Sequence, residues 1–205
     1  FAEEENGIYY IGNWALGLVR KKLERTGSDD SFSPVSEEVL PASGAITIRE
    51  GTVGICAHAF SDSKMQTVTL PNSLKYICAN AFASCENLRS ISIQESVEKI
   101  GDYAFNACYG LESVILSEGL ISIGNAAFNC CKKLKSVVIP RTVKYIGEDA
   151  FRFCKRLENL VVPDVEIEIG HDAFGYCGDI PNIDIPERIL KTLTHFSADE
   201  DESDG

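Results

Sequence analysis

Apolar and polar residues alternate in a set of short, evenly spaced runs: Ile46-x-Ile48, Val68-x-Leu70, Ile91-x-Ile93, Val114-x-Leu116, Val137-x-Ile139, Leu160-x-Val162 and Ile183-x-Ile185. Alternation at period two turns one side of each run inward, so each predicts a short strand with one buried face. A second apolar pair follows, such as Val97 with Ile100, Leu120 with Ile123 and Val143 with Ile146. It closes on a glycine (Gly101, Gly124, Gly147, Gly170), which is expected to let the chain turn tightly. The next segment reads Ala-Phe-x-x-Cys, with phenylalanines at 82, 105, 128, 151 and 174. An earlier copy, Ala59-Phe60, has Ser63 in place of the cysteine. The phenylalanines step by 22 residues once and by 23 four times. One such unit cannot bury its own Phe, Leu and strand residues, so the copies must stack. Pro71, Pro140, Pro163 and Pro186 follow strands, where a missing N–H ends a ladder harmlessly.

The flanks differ from the array. Residues 1–19 hold two apolar runs, Ile8-Tyr9-Tyr10-Ile11 and Trp14-Ala15-Leu16, broken by Gly7, Gly12 and Gly17. They predict a hairpin or edge strands that cap the exposed first unit. Segment 20–43 carries charges and prolines with little periodicity and predicts a weakly ordered, solvated loop with at most one helical turn. Ile189, Leu190, Leu193 and Phe196 stand at helical spacing and predict a capping helix over the last unit. The acidic stretch 197–205 predicts a disordered tail or linker.

Repeats of 20–29 residues with one short strand each are leucine-rich-repeat solenoids. Here the cysteine precedes the strand, and the order I-G-x-x-A-F-x-x-C-x-x-L resembles the BspA-like (Treponema-type) leucine-rich repeats over about residues 44–186. The stretch from Asn6 to Trp14 also resembles the segment that often leads into such arrays. The resemblance implies an α/β solenoid. In it the chain forms a right-handed superhelix with one short strand per 22–23-residue repeat and a short helical or turn segment opposite. An N-terminal hairpin-like cap and a C-terminal capping helix close the two ends. The expected division is a cap with its loop over 1–43, an array of six to seven repeats over 44–186, and a capping helix with acidic tail over 187–205. That family is mostly secreted or surface proteins of anaerobic bacteria that act in adhesion, which implies a non-catalytic extracellular binding protein with a protein or glycan partner. A structural spacer or surface-display module of a larger protein, and a carbohydrate-binding module, are the alternatives.

Composition narrows the classes further. A net charge of −12 over 205 residues opposes nucleic-acid binding, which needs a basic footprint. No apolar run reaches membrane-spanning length, so no membrane insertion is expected. The chain begins Phe1-Ala2-Glu3 without Met, as expected of a mature secreted or cell-surface form whose signal peptide has been removed. Five of the eight cysteines recur three residues after a phenylalanine and predict one buried column of free thiols. They lack the paired spacing that zinc requires. Cys56 and Cys78 lie one repeat apart, about 5 Å at strand spacing, so a disulfide between them stays open.

No residues suggest catalysis, a metal site or a cofactor. Gly7-Ile8-Tyr9-Tyr10-Ile11-Gly12 spells both halves of the GIY-YIG nuclease signature, but fused, so the tyrosines point to opposite faces of one strand. His58 and His171, at turn positions five repeats apart, are more than about 20 Å from each other. Two surfaces remain. Ile115, Val138 and Val161 form an outward apolar strip, flanked by the polar row Ser113, Ser136 and Asn159, which suits a partner or simply reflects the strand preference of β-branched residues. Residues 132–156 hold eight basic and two acidic residues and so carry +6, leaving −18 for the rest. Stacking there brings Lys132 and Lys133 beside Lys155 and Arg156, an anion or acidic-partner patch if it is more than a solvated face. Exposed aromatics that could serve a glycan, Tyr103, Tyr109, Phe153 and Tyr176, are assigned to different columns.

Overall fold

The structure is a computed structural model that describes residues 3–18, 20–21, 38–39 and 44–193. Glu3–Glu5, Ile8–Ile11 and Trp14–Leu18 form an antiparallel meander, and Trp14–Leu18 then pairs in parallel with Gly54–Ile55. From there a parallel ladder continues through Tyr76–Ile77, Lys99–Ile100, Ser122–Ile123, Tyr145–Ile146 and Glu168–Ile169, nine strands in all. The cap therefore extends the sheet of the array itself. Tyr10 is buried and Tyr9 exposed, as alternation in one strand requires.

The apolar runs form a second strand face, made of two parallel ladders, so each unit carries two short strands, which corrects the expectation of one. One joins Gly44–Thr47, Met65–Thr69, Ser90–Ile93 and Ser113–Leu116; the other joins Ser136–Val138, Asn159–Val161 and Asn182–Asp184. The two abut, linked by the Lys135 N–H donating to Glu112 O at 3.2 Å.

The segment opposite the second face is turn and not helix, so of the two expected forms the turn is the one present. Each Ala-Phe-x-x-Cys is a run of tight turns, with two residues per unit in the left-handed region. These lie two before and two after the phenylalanine: His58 and Asp62, Asn80 and Ser84, Tyr103 and Ala107, Ala126 and Cys130, Asp149 and Phe153, Asp172 and Tyr176. Alternate N–H groups then point along the stack. Those of Tyr103, Phe105 and Ala107 donate to Asn125, Ala127 and Asn129 O at 2.8, 2.7 and 2.9 Å. The intervening ones close i→i−3 turns, as Cys108 N–H does on Phe105 O at 3.3 Å. A helix would spend all its N–H groups within one unit; this conformation keeps half for the neighbour. Asp172, not His171, is thus the counterpart of His58.

Six phenylalanine rings stack face to face down this column, 5.1 to 5.3 Å apart and within 10° of parallel. The glycines after each Ile do not have positive φ; their need is clearance. A Cβ on Gly124 would lie 2.6 Å from Gly101 C and Asp102 N of the preceding unit. The expected capping helix is also corrected. One turn, Glu187–Leu190, is helical, with Ile189 buried and Leu190 exposed, and Leu193 packs partly against the core. Phe196 and the acidic tail lie outside the described residues. Within 20–43, Arg20–Lys21 pairs with Glu38–Val39, a ladder the loop expectation missed, while 22–37 lie outside the described residues.

Candidate functional site

The cysteine column is built inward. Cys85, Cys108, Cys131, Cys154 and Cys177 are buried, and each Sγ–H donates to the phenylalanine carbonyl of the preceding unit at 3.1 to 3.4 Å. Ser63 occupies the same place in the first unit, where no earlier phenylalanine carbonyl exists, and its Oγ instead accepts the Met65 N–H at 3.3 Å. Burial pushes the Cys131 and Cys154 thiols well above their ordinary value, so nucleophilic thiolate is disfavoured. All eight cysteines are free, Cys56 and Cys78 included. Among the described residues no three His, Cys, Asp or Glu cluster as metal ligands would.

The apolar strip faces solvent. Ile115 is 61% and Val138 51% exposed, and Val161 is half-buried. Register sets Val138 beside Val161 and Ser136 beside Asn159, whose Nδ2 donates to Ser136 Oγ at 2.9 Å. Ile115 and Ser113 belong to the other ladder, so the strip spans the place where the two ladders abut. A groove of about 480 Å³ opens beside it, with Val138, Val161, Pro140, Pro163 and Pro186 as apolar wall and Arg141, Asp164 and Asp184 among its charged groups.

The basic patch is more structured than a set of repelling charges. Lys132 Nζ sits 5.1 Å from the centre of the Tyr109 ring, and Lys133 is half-buried. Lys155 and Arg156 are exposed. The Arg152 guanidinium lies over both Phe153 and Tyr176, 4.5 and 4.7 Å from their centres, with Asp149 3.7 Å away. Phe153 and Tyr176 share one column, with centroids 5.3 Å apart, which corrects their assignment to different columns. Cation–π contacts of this kind lower the cost of crowding like charges.

A further constellation escaped the sequence reading. Trp14, Gly54, Tyr76, Lys99, Ser122 and Tyr145 follow one another across the nine-stranded ladder in strict register. The available signal was that Tyr76-Ile77 and Tyr145-Ile146 occupy the same place in their units.

The repeat order, the phenylalanine column and the inward thiols fit one kind of solenoid. The family model of the BspA type Leucine rich repeat region matches in six copies, over residues 43–154 and 121–197. The chain belongs to the BspA-type leucine-rich-repeat family. Solved structures similar to this member include a leucine-rich-repeat protein of Treponema pallidum, at 23% identity and TM-score 0.66, covering 78% of this chain and 89% of that one. A leucine-rich cell surface protein of Faecalibacterium prausnitzii matches at 21% identity and TM-score 0.60, over 96% of this chain and 55% of that one. The pneumococcal vaccine antigen PcpA matches at 21% identity and TM-score 0.57, over 80% of this chain and 50% of that one. At such identities the likeness is one of fold. The chain spans about half the length of the last two. No curated protein matches the sequence.

Proposed function

We propose that this leucine-rich-repeat chain is a non-catalytic binding module displayed outside the cell, taking a protein partner on the Ile115–Val138–Val161 strip and the groove beside it. The observation that carries the reading is the exposure of Ile115 and Val138 on a strand face whose adjoining row, Ser90, Ser113, Ser136 and Asn159, is small and polar. Apolar surface rimmed by Ser and Asn is how interface cores meet their rims. The extracellular placement draws on the cell surface protein and the vaccine antigen among the similar structures. The basic patch at Lys132, Lys133, Lys155 and Arg156 supplies a second contact for an acidic partner segment. The test uses purified Val138→Glu and Val161→Glu chains. Both keep the wild-type melting curve and lose a partner retained by the wild type from a panel of extracellular-matrix proteins. Retention of that partner by both variants removes the strip from the reading.

A second reading is favoured by one observation: comparable arrays occur within chains about twice as long. On it the array is a spacer that positions other domains, and no panel member binds.

A further inference from the structure

A trough of about 510 Å³ crosses the nine-stranded ladder, sharing no residue with the strip or its groove, with Trp14 and Tyr76 at one end and Tyr145 at the other. Lys99, Asp102 and Ser122 line the stretch between them. Tyr76 and Tyr145 are three strand steps apart, about 14 Å. Gly101 and Gly124 keep the floor low, because neither position has room for a side chain.

The aromatic walls are held in place before any ligand arrives. The Tyr145 hydroxyl donates to Asn125 Oδ1 at 3.3 Å. Beside Tyr76, Lys75 Nζ donates to the Glu98 carboxylate at 2.9 Å. The Trp14 ring lies within 10° of parallel to Tyr76, centroids 6.3 Å apart, and fills the space above Gly54 where a side chain would otherwise stand. Fixed rings cost a ligand little ordering entropy.

We propose that this trough binds a neutral oligosaccharide, with sugar rings against the Trp14–Tyr76 and Tyr145 walls and hydroxyls bonded to Lys99, Asp102 and Ser122. The proposal does not depend on the strip. Aromatic faces separated by hydrogen-bonding groups match a ligand whose own apolar C–H faces and hydroxyls alternate along its length. Lys99 and Asp102 carry opposite charges, which favours a ligand of no net charge. An extended peptide is less suited, because the strands under the trough are paired on both sides and offer no edge for strand addition. A nucleic acid would meet a chain of net charge −12.

Trp14 is the chain's sole tryptophan, so its emission reports on the trough without labelling. The full chain is titrated with cellohexaose, xylohexaose, mannohexaose, maltohexaose and chitohexaose, with a mixed casein peptide digest as a further probe. At least one sugar gives a saturable change in emission. Tyr145→Ala weakens it roughly tenfold, the loss of one aromatic contact. Ser122→Tyr, which fills the middle of the trough with a side chain its row already accepts on either side, abolishes it, while Val138→Glu leaves it intact. Far-UV circular dichroism confirms that each variant is folded. The proposal is overturned if no sugar saturates, if only the peptides do, or if folded Tyr145→Ala and Ser122→Tyr bind as the wild type does.

Discussion

Down the turn column, rings from Phe60 to Phe174 succeed one another at 5.1 to 5.3 Å without interruption, whereas on the second strand face the ladder that ends at Ser113–Leu116 gives way to another beginning at Ser136–Val138. One repeat of one period makes both. In the turn column every unit is tied to its neighbour several times over, by three backbone N–H groups, a ring face and a thiol. On the strand face, the outward residues answer to nothing inside. They pass from Thr47, Thr69 and Ser92 to Ile115 and Val138 while the buried partners hardly change. Redundant bonding fixes the stack on one side and leaves the other free to vary.

The largest effect expected from this contrast is that of Phe105→Ala, about 3–5 kcal/mol of unfolding free energy, since the fully buried ring loses partners on both faces. Val114→Ala, on the strand side of the same unit, costs about 2 kcal/mol. Urea denaturation followed by circular dichroism measures both. Equal costs would show that the turn column is no firmer than the strand face.

Next in size is Gly124→Ala, about 1–3 kcal/mol, because the added methyl presses on the backbone of the unit before it and neither chain can yield. Cys56 and Cys78 occupy this same column in the first units, so Cys78→Gly should shift the urea midpoint far less. A Gly124→Ala chain as stable as wild type would mean that the spacing between units relaxes, and that the regularity of the phenylalanine stack is not imposed by backbone contact.

The face of the apolar runs, the stack and the inward Phe and Cys were legible because period-two alternation and a 23-residue rhythm report burial directly; the second strand of each unit, such as Lys99–Ile100, is too short to show an alternation. Backbone conformation is what that pattern does not encode. His58, Asn80, Asp149 and Asp172 are residue types that tolerate the left-handed region, and their recurrence two places before four of the six phenylalanines was a usable signal. Tyr103, Phe153 and Tyr176 obscured it, since large side chains are poor guests there. The capping helix failed for a different reason: among the described residues of that segment only Ile189 is fully buried, with Leu193 partly so, which holds one helical turn and not several. The strip and the basic patch could be read from rows of equivalent positions. The aromatic trough could not, because Trp14 comes from the non-repetitive cap and joins Tyr76 only through the folded ladder.

The smallest effect is the most pointed, because it has the opposite sign. Ala107 sits at φ 57°, a conformation that costs an L-residue roughly 1 kcal/mol and glycine almost nothing. Glycine also loosens the unfolded chain, which takes back part of that gain. Ala107→Gly is therefore expected to raise the unfolding free energy by up to about 1 kcal/mol. Ala104→Gly, three residues earlier, fully buried and without positive φ, should lower it by a similar amount. Thermal melts of the two variants beside wild type give the signs directly. Opposite signs mean the turn column is held against a conformational penalty by its hydrogen bonds to the next unit. If both substitutions destabilise alike, the left-handed turns carry no penalty, and the firmness of the column comes from ring stacking alone.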